Sequence, residues 1–137
     1  MNPFILDACA LIAVLNMEAG ADAIRKLFHD ATNRQATIIM NKFNFLEVYY
    51  QIYREYGKTE ADKLNNTMKQ MPVIMNSILT DDLLKEAGRV KAKYKISIAD
   101  SVAVAETIVN KGTLVTSDHH EIEPVEKGEK ISMMWFR

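Results

Sequence analysis

Apolar and polar positions alternate along this chain in two periods, short apolar runs and longer amphipathic stretches. Phe4–Leu6 reads as a first strand, Ala36–Met40 (ATIIM) as a buried second, Pro72–Met75 as a third. Thr113–Thr116 (TLVT) and Ile131–Trp135 (ISMMW) read as two more. Between them, Ala8–Asn16 and Ala21–Thr32 have helical spacing and are broken near Gly20. Lys42–Tyr56 predicts a helix ended by Gly57, where a glycine is a natural stop. Thr59, with Asp62 three residues on, predicts a capping box and a helix to about Gln70. Thr80 caps the next, with Asp81 and Asp82 in its first turn, and it ends near Lys93. Ile98–Asn110, within the mostly small and apolar run that begins at Ile96, predicts a further helix, ended by Lys111-Gly112. Strands alternating with helices predict an α/β fold with a mainly parallel sheet between helical layers.

The chain has 137 residues, no repeats and no Pro/Gly-rich linker, which predicts a single domain over residues 1–137. No apolar run has the length of a membrane span. The apolar N-terminus lacks a basic leader and carries Asp7, which argues against a signal peptide. A single cysteine, Cys9, excludes an intramolecular disulfide and a multi-cysteine zinc site; a cytoplasmic protein is the simplest expectation. Net charge is −1, so no global positive field points to nucleic acid. Any binding of RNA or DNA then needs a local patch or a bound cation.

Four acids stand out. Asp7 follows the first strand directly, and Asp118 follows TLVT after one residue. Sites in open α/β sheets form beyond the carboxyl ends of strands, so parallel neighbours would bring these two together. Glu47 lies at helical spacing with Phe43, Leu46, Tyr50 and Tyr53, which predicts that it points inward with them. Asp100 sits among Ala99, Val102, Ala103, Val104 and Ala105. Carboxylates gathered in one place raise each other's pKa or demand a cation, and oxygen donors favour Mg²⁺ or Mn²⁺. Each acid also has a plain structural reading. Ser97 and Asp100 have capping-box spacing, and Asp7 and Asp118 could be helix N-caps. Glu47 could pair with an inward Lys or with a Tyr hydroxyl.

The segments FILDACALIAVL, FNFLEVYY, ISIADSVAVAE and GTLVTSDHHEIEP, in that order, resemble the PIN-domain family, within it the toxin ribonucleases of VapBC toxin–antitoxin pairs. The resemblance covers essentially the whole chain. It implies a three-layer α/β/α fold and a metal-dependent endoribonuclease that hydrolyses RNA with a metal-activated water. It implies Asp7 and Asp100 as direct Mg²⁺ or Mn²⁺ ligands, and Glu47 and Asp118 as ligands directly or through water. Thr116 matches a supporting hydroxyl. Cys9 stands where Ser or Thr is frequent, and a thiol is a weaker donor. The resemblance further implies a homodimer and an antitoxin partner that brings a basic side chain to the acidic site.

His119 and His120 are candidates for metal, proton or phosphate contact, against the commoner reading of exposed loop histidines. Lys91 and Lys93, with Arg89 and Lys95 nearby, are candidates for a phosphate-contacting rim, against a solvated helix end. Competing readings are a housekeeping PIN nuclease, a catalytically silent module of the same fold, and a receiver-like domain. The receiver reading suffers from the lack of a lysine close after TLVT.

Overall fold

A computed structural model describes all 137 residues. Five strands, β1 (Phe4–Leu6), β2 (Ile38–Asn41), β3 (Ile74–Asn76), β4 (Thr113–Thr116) and β5 (Ser132–Trp135), form one sheet in the order β3-β2-β1-β4-β5. Every pairing is parallel. Seven helices accompany them: α1 (Ala8–Leu15), α2 (Ala21–Thr32), α3 (Lys42–Tyr56), α4 (Lys58–Met68), α5 (Asp81–Lys93), α6 (Ile98–Val109) and α7 (His119–Glu129).

The strand alternation sorts the core into two layers. Leu6, Ile38, Met40 and Val115 pack with α1 to α4, against Leu11, Ile24, Phe45, Val48 and Leu64. Ile5 and Leu114 face the other way and pack with Val90, Val104, Ile122 and Val125 of α5 to α7. A parallel sheet covered on both faces has strands that read as continuous apolar runs, as FIL and TLVT do. The chain builds outward from β1 to β3, then returns to place β4 on the other side of β1. The order therefore reverses between β1 and β4, and a crevice opens beyond their carboxyl ends.

Several expected boundaries shift. The second and third strands run on to Asn41 and Asn76, because both asparagines pair in register at the sheet edge. The helix after Gly57 begins at Lys58 with no side-chain cap, so the expected Thr59–Asp62 capping box does not form. Asp62 instead accepts hydrogen bonds from the Tyr49 hydroxyl at 2.7 Å and from Lys58 Nζ. Gly20 has φ +86°, and a Cβ there would collide with the Phe136 carbonyl oxygen, so the helix break also seats the last strand's exit. The region after Asp118, where the pattern predicts no helix, forms α7.

Candidate metal centre

Local helix chemistry delivers each acid to the β1/β4 crevice. Asp7 is the N-cap of α1 and accepts from the Ala10 N–H at 2.9 Å. Asp118 is the N-cap of α7 and accepts from the Glu121 N–H at 3.2 Å. Ser97 caps α6 by accepting from the Asp100 N–H at 3.1 Å, which puts Asp100 in the first helical turn. The plain N-cap readings of the acids are thus correct locally. They also place the carboxylates at helix N-termini, where the partial positive charge favours them. Thr116, fully buried at the end of β4, accepts from the Asp118 N–H at 3.1 Å and orients that turn.

Glu47 reaches the same crevice from α3, but not on the face expected. The buried face of α3 carries Asn44, Phe45 and Val48, whereas Phe43, Leu46, Tyr50 and Tyr53 are exposed. An exposed aromatic stripe and a core stripe have the same helical spacing, so the pattern alone does not separate them. Glu47 lies at the margin between the two, half-buried.

One carboxylate oxygen from each of Asp100, Asp118 and Glu121 lies within 4.8 Å of the other two. Glu121 is a member of the cluster that the sequence pattern does not single out. Its signal is the Asp118–Glu121 spacing, that of a capping box with an acid in place of Ser or Thr. Asp7 is only 3% exposed, and burial pushes its carboxyl up to about 7, with the Glu47 and Asp118 charges adding to the rise. The Thr116 hydroxyl and the Ala10 N–H act against that rise. Burial raises Asp100 as well, together with a hydrogen bond to the Glu121 side chain and the charges of Asp7, Glu121 and Glu47. Glu47 is raised by burial, then by Glu121 and Asp118. None of the nine ion pairs in the protein involves any of these five acids. Their mutual repulsion is therefore not relieved by Lys or Arg.

The remaining candidates have other engagements. Cys9 is half-buried in the first turn of α1, and burial pushes its thiol well up, away from nucleophilic use. His119 stacks on Trp135 at 4.1 Å between ring centroids. Its ring nitrogens lie 2.9 Å from a Glu123 carboxylate oxygen and 2.7 Å from the Arg137 carbonyl. His120 is exposed on the first turn of α7. Lys93 and Arg89 pair with Glu129, and Lys91 Nζ donates to the Ile96 carbonyl at 2.6 Å.

The PIN domain family model matches residues 4–126. No curated protein matches the sequence. Solved structures do match in fold. DNA-bound VapBC from Salmonella typhimurium superposes with a TM-score of 0.72 at 13% identity, covering 100% of each chain. VapBC2 from Rickettsia felis, bound to a fragment of its promoter DNA, gives 0.71 at 16% identity over 96% of each. VapC20 from Mycobacterium tuberculosis, a sarcin–ricin loop cleaving toxin, gives 0.69 at 13% identity over 88% of this chain and 94% of that one. At such identities the likeness is one of fold.

Proposed function

The chain belongs to the PIN-domain family, and from that premise we propose that it is a divalent-metal-dependent endoribonuclease, the toxin of a toxin–antitoxin pair. The observation that carries this reading is the convergence of Asp7, Glu47, Asp100, Asp118 and Glu121 on one crevice with no basic side chain paired to them. The donor set fits Mg²⁺ or Mn²⁺. It is all oxygen, it is anionic, and three of its members already stand close enough to share one ion. Asp100, Asp118 and Glu121 would hold the ion, with Asp7 and Glu47 bound to it directly or through water. A bound Mg²⁺ or Mn²⁺ supplies charge to the anionic phosphate and lowers the pKa of water.

The chain's own groups do the rest. Asp7, with its carboxyl near 7, gives up its proton when a cation binds. Thr116 and the N-cap bonds keep Asp7 and Asp118 from rotating away. Glu47, held above its ordinary range, suits a proton acceptor for the attacking water. The water oxygen forms a new bond to phosphorus, the bond to the leaving nucleotide oxygen breaks, and that oxygen takes a proton from solvent. No Ser or Cys nucleophile enters.

The structural neighbours support the antitoxin partner, since they are toxin–antitoxin complexes. The exposed stripe Phe43, Leu46, Tyr50 and Tyr53 supplies apolar surface for an antitoxin or for the second copy of a homodimer. One sheet with helices on both faces supports a single domain over residues 1–137. No helix is long and apolar enough to cross a membrane. A cytoplasmic site of action suits an RNA substrate and the single free Cys9.

The test is cleavage of a panel of structured RNAs with Mg²⁺, Mn²⁺ or EDTA, with Asp100→Asn in parallel. The expected result is cutting that needs the ion and falls at least about 100-fold in the variant. Equal cutting by the variant, or cutting in EDTA, contradicts the assignment.

A further inference from the structure

Asn44 is fully buried, on the face of α3 that meets α1 and α6, among apolar neighbours such as Phe45 and Val48. A primary amide in such a place is costly unless both its ends are bonded. Both are. Its Oδ1 accepts from the Ala8 N–H at 3.3 Å, and its Nδ2 donates to the Ala99 carbonyl at 3.1 Å. The Ala8 nitrogen belongs to the peptide unit that joins it to Asp7. The Ala99 carbonyl belongs to the one that joins it to Asp100. Peptide units are planar and stiff, so a bond to one fixes the Cα beside it. One side chain thus spans the two backbone segments that carry two of the acids, and Glu47 lies three residues further along the same helix.

We propose that Asn44 is a positioning residue for the acid site, a strut that sets the spacing of Asp7, Asp100 and Glu47 before any ion arrives. The inference rests on the metal-centre reading above and adds a residue that touches neither ion nor substrate. The strut is itself braced. The Asn44 N–H donates to Asn41 Oδ1 at 2.8 Å, and Asn41 Nδ2 donates to Glu106 Oε1 at 2.9 Å. Asn76 Nδ2 donates to Glu106 Oε2 at 2.8 Å. The ends of β2 and β3 are thereby tied to α6, and the register of α3 against both acid-bearing helices is fixed from behind.

The experiment measures Mn²⁺ affinity by electron paramagnetic resonance on the wild type, Asn44→Leu, Asn44→Ala and Val48→Ala. Val48 is buried one turn along the same helix and reports what a loss of core packing alone does. All proteins are held far below their melting temperatures. The Asn44 variants are expected to bind Mn²⁺ about tenfold or more weakly, the range for losing an outer support of a metal ligand. Val48→Ala is expected to bind as the wild type does. In RNA cleavage, kcat should fall while KM stays nearly constant. Wild-type affinity in both folded Asn44 variants overturns the strut and leaves the metal centre standing. A wild type that binds no Mn²⁺ overturns both. If neither Asn44 variant folds, amide hydrogen exchange of the metal-free wild type decides by NMR. The Ala8 N–H and the Asn44 side-chain amide must already be protected before any ion is added, and fast exchange at both overturns the proposal.

Discussion

Two carboxylates are almost completely buried in this molecule, and they live in opposite ways. Asp7 is 3% exposed at the end of β1, and Glu106 is 1% exposed on α6, behind the ends of β2 and β3. Burial raises the pKa of both. Around Glu106 the rise is opposed by two asparagine amides, one on each oxygen. Around Asp7 two of the further influences are other acids, Glu47 and Asp118, which push the same way as burial. One carboxylate has been given its partners by the chain. The other keeps hydrogen bonds from the Thr116 hydroxyl and the Ala10 N–H, but its charged neighbours are rivals. A fold that satisfies a buried acid at one end of its sheet edge can do so at the other, so the crowding at Asp7 reads as a demand for a cation.

The largest expected contrast is one of sign. Asp7→Asn keeps the N-cap, because asparagine caps as well as aspartate, and removes the buried charge. In metal-free protein above pH 7 the substitution should stabilise by up to about 4 kcal/mol. That figure follows from a carboxyl raised to about 7, with each pH unit of rise worth about 1.4 kcal/mol. Glu106→Gln should destabilise by about 1–3 kcal/mol. Its new NH₂ group must face an asparagine NH₂, and neither asparagine can turn round. Asn41 Oδ1 is held by the Asn44 N–H and Asn76 Oδ1 by the Ile78 N–H. Chemical denaturation of the two variants in EDTA checks both signs. Equal losses would erase the distinction.

A pH titration of stability tests the crowding around Asp7. The Asp7 carboxyl ionises near 4 in the unfolded chain and near 7 in the folded one. Between those values the folded state binds more protons, so metal-free stability should fall as pH rises from about 4 to 7. Asp100, raised to about 8, adds to the fall and carries it on to about pH 8 before it levels off. Saturating Mg²⁺ should abolish the fall, and Asp7→Asn should shrink it. A flat profile in EDTA would contradict the crowding of these acids.

Much of this is legible in the sequence. Asp7 and Asp118 are expected at neighbouring strand ends, and the β1–β4 pairing, Leu6 beside Val115, makes them so. The all-parallel sheet between helices follows from alternating periods. What the pattern hides has physical reasons. Only two residues of α7 are buried, Ile122 and Val125, and Pro124 lies inside it, so its period is faint. A faint α7 also hides Glu121. The stripe on α3 reads as a core face because an exposed aromatic surface shares its period. Asn44 is invisible because its role depends on α1 and α6, 36 and 55 residues away.

The smallest expected effect belongs to the cap beneath Asp100. Ser97→Ala removes the acceptor for the Asp100 N–H and should cost about 1 kcal/mol. It should weaken the ion site less than any acid substitution does. Thermal unfolding and Mn²⁺ binding of one preparation read both quantities.

If the crowded acids form a cation site and the paired one does not, calorimetric titration of Mn²⁺ into the wild type, Glu121→Gln and Glu106→Gln separates them. The wild type is expected to bind the ion, Glu121→Gln to bind it about tenfold or more weakly, and Glu106→Gln, which disturbs only the brace behind Asn44, to lose less affinity than Glu121→Gln. A wild type that takes up no ion, or a Glu121→Gln protein that binds as tightly as the wild type, would contradict the cation site.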